Sequence, residues 1–380
     1  MSVIKTTYKL LPTQYKFAYG FDKSKLSDDN IYLDVSLYQG GFTCVPSDTE
    51  YLSPTGWKQI KDLTKQDKLA VYYDDGSIKY EHPKEVFRYP ADEWYEFKTT
   101  YTHQVLCPNH KIVYFSQNDT EMLHPKFISC KDYVDAGCNQ HYKIRNYFKS
   151  SSGYELPLTD YELRLLVAYQ ADGYDYQKVH HCGKRTLGFH LKKKNKIERL
   201  LSILNNINNC QFTVKERLVG TKKGYVDVFV EENKELSKYK HFTPEMYSLS
   251  DRQLAIIFDE VKYWDCSHKN SKNTNSYGSW TYSAREKADR DFIQFVCASQ
   301  GYCTTCYERT RNIKLNYNSK EYIYNNSTEY TVSWSLAKPL SLGKATRINA
   351  KGGDAKYCPS TTTGMWLARY KNYIFVTGNS

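Results

Sequence analysis

The chain has 380 residues and a formal net charge of +11, from 53 Lys+Arg against 42 Asp+Glu. Hydrophobic residues make up 40%, which excludes a polar, disordered chain, and no apolar run is long enough to cross a membrane. The 11 cysteines are odd in number, and Met1-Ser2-Val3-Ile4-Lys5 lacks the apolar stretch of a secretory signal, so free thiols in a reducing cytoplasm are expected rather than a disulfide scaffold.

Residues 1–43 form a segment of their own, in which Ile31–Leu37 reads as a buried strand running into Tyr38-Gln39-Gly40-Gly41-Phe42-Thr43. From Cys44 the pattern becomes all-β. Leu52 to Leu63 reads as a strand, a turn and a short helical turn. Asp67–Tyr73 is a strand, Asp74-Asp75-Gly76 a hairpin turn, and further strands run through Glu96–Lys98 and Lys111–Phe115. Residues 153–340 are different. Thr159-Asp160-Tyr161-Glu162 is a capping box opening a helix that ends at Asp172-Gly173. A basic β segment carrying Lys184, Arg185, Lys192, Lys193 and Lys194 leads into another helix. Ser250-Asp251-Arg252-Gln253 is a second capping-box-like start, and its helix runs toward Trp264-Asp265-Cys266. The middle is therefore an internal repeat of roughly α-β-β-α type. Cys303-Thr304-Thr305-Cys306 is a lone C-x-x-C, a weak zinc signal. The chain closes on a second β stretch, residues 341–379, whose last strand is Tyr373–Thr377, followed by Gly378-Asn379-Ser380.

The two ends carry complementary chemistry. The Cys44 thiol can attack the Thr43 carbonyl and turn that amide into a thioester. The Ser380 hydroxyl can accept the acyl group, and the Asn379 side chain can cyclise on its own carbonyl and cut the chain after itself. Removing residues 44–379 then joins Thr43 to Ser380, with no cofactor and no energy source.

The blocks around these ends resemble an intein, the Hint fold shared with hedgehog autoprocessing domains. The family's T-x-x-H block is matched by Cys107-Pro108-Asn109-His110, with Cys107 in the place of Thr. The resemblance implies that His110 protonates the departing amide nitrogen. In the last two blocks Cys358 stands where Asp is common, Met365 where His is common, and Gly378 where the penultimate His is usual. Leu165–Gly173 resembles the LAGLIDADG motif of homing endonucleases, and Leu254–Cys266 its divergent second copy, with Cys266 in place of Gly. Joined as Gly40-Gly41-Phe42-Thr43-Ser380, the flanks resemble the first five positions of a phosphate-binding loop in a phage terminase large subunit, with Gln14 in its adenine-contacting position; a plain Gly-rich turn is the alternative.

Together these imply a multidomain chain: an all-β Hint domain discontinuous in sequence (44–152 and 341–379), with an α+β LAGLIDADG endonuclease of two αββα-type repeats inserted at 153–340. The implied function is self-catalysed splicing plus cleavage of the intein-less gene. Asp172 and Asp265 are implied as catalytic residues and Mg²⁺ ligands. Lys184, Arg185, Lys192, Lys193, Lys194 and Arg285 would face double-stranded DNA. A monomer in the cytoplasm of a phage-infected bacterium follows, with no membrane partner. Two alternatives stay open: a middle part that only binds DNA, its nuclease decayed, and the ATP-driven DNA-packaging activity of the host protein itself.

Overall fold

A computed structural model of the chain describes residues 44–378, apart from 120–121, 139–140, 177–185, 219–222, 232–235, 270–277, 318–319 and 337–339. The expected strand Ile31–Leu37, the Gly40–Thr43 turn, Gln14, Lys184, Arg185, Asn379 and Ser380 lie outside the described residues.

Strands from the two ends of the sequence share three sheets. Val45–Pro46 pairs with Ala355–Ser360, which pairs with Glu85–Pro90. Ala345–Asn349 pairs with Glu93–Lys98, and that strand with His103–Leu106. The largest sheet has seven strands. Its order is Lys149–Ser150, Ser77–Glu81, Leu69–Tyr72, Met365–Tyr370, Glu50–Ser53 and Gly56–Gln59, with Tyr373–Gly378 attached to Met365–Tyr370. All six residues of Met365–Tyr370 are buried, as a central strand requires. Local turn chemistry fixes the registers. At Asp74-Asp75-Gly76, Gly76 adopts φ +83° and the Asp75 carboxylate accepts the Ser77 N–H at 2.9 Å. At Lys371-Asn372 both residues have positive φ (47° and 68°), which matches the right-handed twist of the two-residue terminal hairpin.

The middle folds as two similar units. The first runs α2 (Asp160–Asp172), strands Gly173–Asp175 and Thr186–Leu191, α3 (Lys194–Asn205), then strands Phe212–Glu216 and Val226–Glu231; α1 is the short helix Cys130–Asp135. The second runs α4 (Asp251–Val261), strands Cys266–Lys269 and Ser279–Ala284, α5 (Lys287–Ser299), then strands Tyr302–Tyr317 and Lys320–Leu336. In each unit the four strands form an antiparallel sheet in the order first, second, fourth, third. Each unit is thus αββαββ, two strands longer than the αββα expected. Phe212–Glu216 is mostly exposed, and Tyr302–Tyr317 begins as a polar run without clean alternation, so neither carries the usual strand signal.

Capping explains where the two leading helices start. Thr159 and Glu162 close a reciprocal capping box at α2. At α4 only half of the box forms. The Ser250 side chain accepts the Gln253 N–H, while the Gln253 side chain turns away and bonds both backbone groups of Leu156, at 2.9 and 3.0 Å. α5 is buried on all sides from Arg290 to Ser299, as a helix between layers must be. The C-x-x-C lies within a strand, where a spacing of three sends the two thiols to opposite faces. Cys303 instead donates to the Asn146 side-chain oxygen at 3.2 Å. None of the ten described cysteines is in a disulfide.

Candidate functional site

The first candidate site is built around Cys44. The chain between Cys107 and His110 makes a tight turn, with the His110 N–H on the Cys107 carbonyl at 2.9 Å and Pro108 at the position whose fixed φ suits it. α1 pins that turn from outside: Cys130 N–H donates to the His110 carbonyl, and Lys131 N–H to the Pro108 carbonyl, both at 2.9 Å. On its inner side the turn meets Cys44. The Cys44 N–H donates to Cys107 Sγ at 3.2 Å, and the Cys107 N–H donates to the Cys44 carbonyl at 3.1 Å. Cys107 therefore supplies the side-chain acceptor expected of a threonine there. The sulfurs of Cys107 and Cys358 both hydrogen-bond with the Cys44 thiol. In that order, and with burial, they push the Cys44 thiol far above its ordinary value.

His110 is fully buried. Its Nδ1 is 3.2 Å from the Cys44 carbonyl, and its Nε2 is 2.5 Å from Thr377 Oγ1. A carbonyl only accepts, so Nδ1 carries the proton and Nε2 accepts from the Thr377 hydroxyl. The ring is neutral: burial pulls its pKa down to about 3, only partly offset by the Cys44 backbone bond. One imidazole thus touches both the residue after Thr43 and the strand that leads to Asn379. Thr377 is the residue that sequence reasoning missed. It lies 267 residues from His110, and a threonine in a strand carries no signal of its own.

A pH dependence follows from the buried ring. Unfolded, the imidazole takes a proton near its ordinary 6.5; folded, only near about 3. Between these values the unfolded chain binds more protons, so this contribution is complete above 6.5 and is lost as the pH falls toward 3. The total is on the order of 5 kcal/mol. Urea midpoints measured from about pH 7 down to about pH 4 should fall, and His110→Gln should flatten the slope.

Gly378 has a packing reason. A Cβ added there would lie 2.5 Å from the Lys111 carbonyl oxygen and 3.1 Å from Lys111 Cβ. The penultimate histidine of the resembled family therefore has no room in this strand position. Gly378→Ala should destabilise the fold by about 1–3 kcal/mol through strand displacement, read as a lower urea midpoint.

The second candidate site lies at the ends of α2 and α4. Asp172 is the last residue of α2. Asp265, expected at a helix end, lies instead in the turn beyond α4, because that helix stops at Val261. The two carboxylates still converge. Lys196, in the first turns of α3, donates to Asp172 Oδ2 at 2.5 Å and is 3.8 Å from Asp265 Oδ1. Lys240 reaches the same helix end and donates to the carbonyls of Tyr169, Gln170 and Gly173 at 2.7–2.8 Å. Burial raises the Asp265 carboxyl above the ordinary range; Lys196 opposes the shift and Asp172 adds to it. The helices are held in place by Glu260, fully buried on α4. Its carboxylate accepts from Arg164 of α2 at 3.0 Å, from Arg199 of α3 through two bonds, and from Trp264 at 2.9 Å.

Lys196 and Lys240 do not stand out in the sequence, where they sit among many lysines. Lys192 and Lys193 are exposed in the connection ahead of α3, and Lys194 opens that helix, so none of the three is a sheet residue. The side chain of Lys192 lies over the Tyr225 ring, 5.4 Å from its centroid, and Lys194 pairs with Glu198 at 3.6 Å. Arg285 is exposed between strand Ser279–Ala284 and α5. Two carboxylates that approach one ammonium are hard-oxygen donors, the type a divalent cation takes, and Lys196 lies between them. Among the described residues no group of three or more His, Cys, Asp and Glu could hold a metal, which leaves water, carbonyl and phosphate oxygens to complete a shell. No helix among the described residues is long and apolar enough to cross a membrane.

No family model matches the chain. A ribonucleoside-diphosphate reductase subunit beta of Aquifex aeolicus (strain VF5) is 24% identical over 366 residues, covering 88% of this chain and 50% of that protein. An ATP-dependent Clp protease proteolytic subunit of Chlamydomonas moewusii is 34% identical over 79 residues, covering 20% of this chain and 8% of that protein. The chain therefore spans half the length of the first relative and a small part of the second. Among solved structures, a splice-inactive variant of the AceL NrdHF class 3 split intein aligns over 89% of this chain and 98% of its own, at 9% identity and a TM-score of 0.30. The homing endonuclease I-DmoI in complex with DNA and calcium aligns over 47% of this chain and 83% of its own, at 12% identity and a TM-score of 0.29. The N-terminal LAGLIDADG domain of DUF199/WhiA aligns over 47% and 78%, at 11% identity and a TM-score of 0.27.

Proposed function

We propose that residues 44–379 are a self-splicing element that excises itself and joins Thr43 to Ser380, and that its middle part, 153–340, is a DNA endonuclease. One observation carries the splicing reading: His110 bonds Cys44 on one side and Thr377 on the other, so residues from the two ends of the element share a buried site. Forming the thioester moves one proton from the Cys44 thiol to the nitrogen that leaves Thr43. A neutral imidazole, able to accept and to donate, is suited to that transfer. Cys107 holds the N–H of the bond that breaks. Transfer to the Ser380 hydroxyl frees the Cys44 thiol and forms an ester; cyclisation of Asn379 then frees the Ser380 amine, which takes the acyl group from the hydroxyl to give the Thr43–Ser380 amide. A chain that matches only parts of a reductase subunit and a protease subunit, two proteins of unrelated activity, is what a segment able to sit in different hosts would give. The test is expression with native flanks and an extension after Ser380, followed by intact mass. A ligated product plus a free 44–379 segment is expected; an uncut chain of full mass sinks the reading.

For the middle part, the shared placement of Asp172 and Asp265 around one ammonium favours metal-assisted phosphodiester hydrolysis. A bound divalent cation such as Mg²⁺ would polarise phosphate and water oxygens there. Asp172 and Asp265 would hold it, Lys196 would neutralise the phosphate, and exposed Lys192, Lys193, Lys194 and Arg285 would contribute to the salt-sensitive grip on double-stranded DNA. The proposed target is the uninterrupted host gene across the Thr43–Ser380 codons, and the proposed host is a phage terminase large subunit. The protein is proposed to act as a monomer in the bacterial cytoplasm.

A further inference from the structure

The two proposed activities share no catalytic residue, and the sequence places the middle part as an insertion between the two halves of the splicing part. The packing ties the two together. Arg369, on the first strand of the terminal hairpin, is 1% exposed and lies 4.6 Å over the Trp57 ring. Its guanidinium bonds Glu50 twice, at 2.6 and 2.8 Å, within the large sheet. It also bonds two side chains of α5: Asp291 at 3.1 Å and Gln294 at 3.3 Å. At the hairpin turn, the Gln294 side-chain amide donates to the Asn372 carbonyl at 2.6 Å, and fully buried Arg290 donates to the Asn372 side-chain oxygen at 3.2 Å. Arg290 is itself bonded to Asp291 at 2.7 Å. Three contact points along α5 therefore grip the closed end of the hairpin whose open end carries Thr377 and Gly378. Buried charges tolerate little displacement, because a shifted partner leaves an uncompensated ion.

We propose that Asp291 and Gln294 of α5 are positioning residues for the terminal hairpin, so that the inserted middle part sets the geometry of the strand leading to Asn379. The consequence for the C-terminal step rests on the splicing reading; the clamp itself does not. Thioester formation at Cys44 depends on the Cys107–His110 turn, which α5 does not touch through these residues and which meets the clamped strand through the His110–Thr377 bond, so the clamp acts first on the C-terminal end of the reaction.

Two variants test this in the full chain. Gln294→Leu removes the bond to the turn carbonyl. Asn372→Gly is milder: it keeps the left-handed turn and deletes only the Arg290 acceptor. Amide exchange of residues 373–378, followed by mass spectrometry, should become about tenfold faster in Gln294→Leu and accelerate less in Asn372→Gly, with far-UV circular dichroism unchanged. C-terminal cleavage should slow by on the order of 10²-fold in Gln294→Leu, while release of residues 1–43 by hydroxylamine slows by far less. Wild-type exchange in both variants overturns the clamp. So does a loss of thioester formation in step with C-terminal cleavage, since that marks a general rather than a positional defect. If the wild-type chain does not splice at all, the splicing reading fails, and the exchange measurement still decides the clamp.

Discussion

Changing Cys44→Ala should leave no ligated product on intact-mass analysis of a chain extended beyond Ser380. The reason is specific to the site. The thiol belongs to the residue whose N–H is held by Cys107 and whose carbonyl is held by His110, and alanine removes it. The sulfurs of Cys107 and Cys358 and the burial of the site keep the Cys44 thiol protonated, so the rate in the native chain should rise with pH through the neutral range. Normal ligation by the Cys44→Ala variant would move the first attack to Cys358, whose sulfur lies against the same thiol. The companion change Asn379→Ala should stop C-terminal cleavage and leave the thioester, so that hydroxylamine releases residues 1–43. Continued release of the Ser380-bearing fragment would remove the succinimide route.

Asp172→Asn or Asp265→Asn should each reduce cleavage of the uninterrupted gene by at least on the order of 10²-fold. Each change removes one of two negative charges around the Lys196 ammonium. DNA binding should survive or tighten, since repulsion of phosphate is relieved, and it should weaken steeply with added salt. Cleavage should need Mg²⁺ or Mn²⁺ and stop with chelator. Plasmid cleavage assays and a gel-shift titration measure the two sides separately. A wild-type protein that binds this DNA and does not cut it in either metal would establish the decayed-nuclease alternative.

Features that depend on a few adjacent residues are legible in the amino-acid order alone. The Thr159–Glu162 capping box, the Asp74-Asp75-Gly76 turn and the terminal strand are local, and each appears where the sequence places it. What stays hidden is long-range or disguised. Gln253 looks like the reciprocal half of a capping box, and its side chain goes to Leu156 instead. Arg290 and Arg369 look like solvated charges, and both are buried. Lys196 is one lysine in a run, distinguished only by the two helix ends that α3 brings near it. The αββα expectation falls short because Phe212–Glu216 is exposed and Tyr302–Tyr317 opens on polar residues; their partners Val226–Glu231 and Lys320–Leu336 do bury alternate residues, Val228 and Val230 in one and Val332 and Trp334 in the other. Gly378 looks like the loss of a histidine, and the Lys111 carbonyl explains why no side chain fits there.

The single imidazole between Cys44 and Thr377 also has a topological consequence. Cys44 and Thr377 meet within the span of one side chain, so under the splicing proposal the insertion would be anchored to its host at what is nearly a point. Such an insertion need not wedge apart the segments on either side of it. A host could keep a tight loop closed at its base, gather its own strands and begin to fold while still interrupted, which is the condition under which inserted domains are best tolerated.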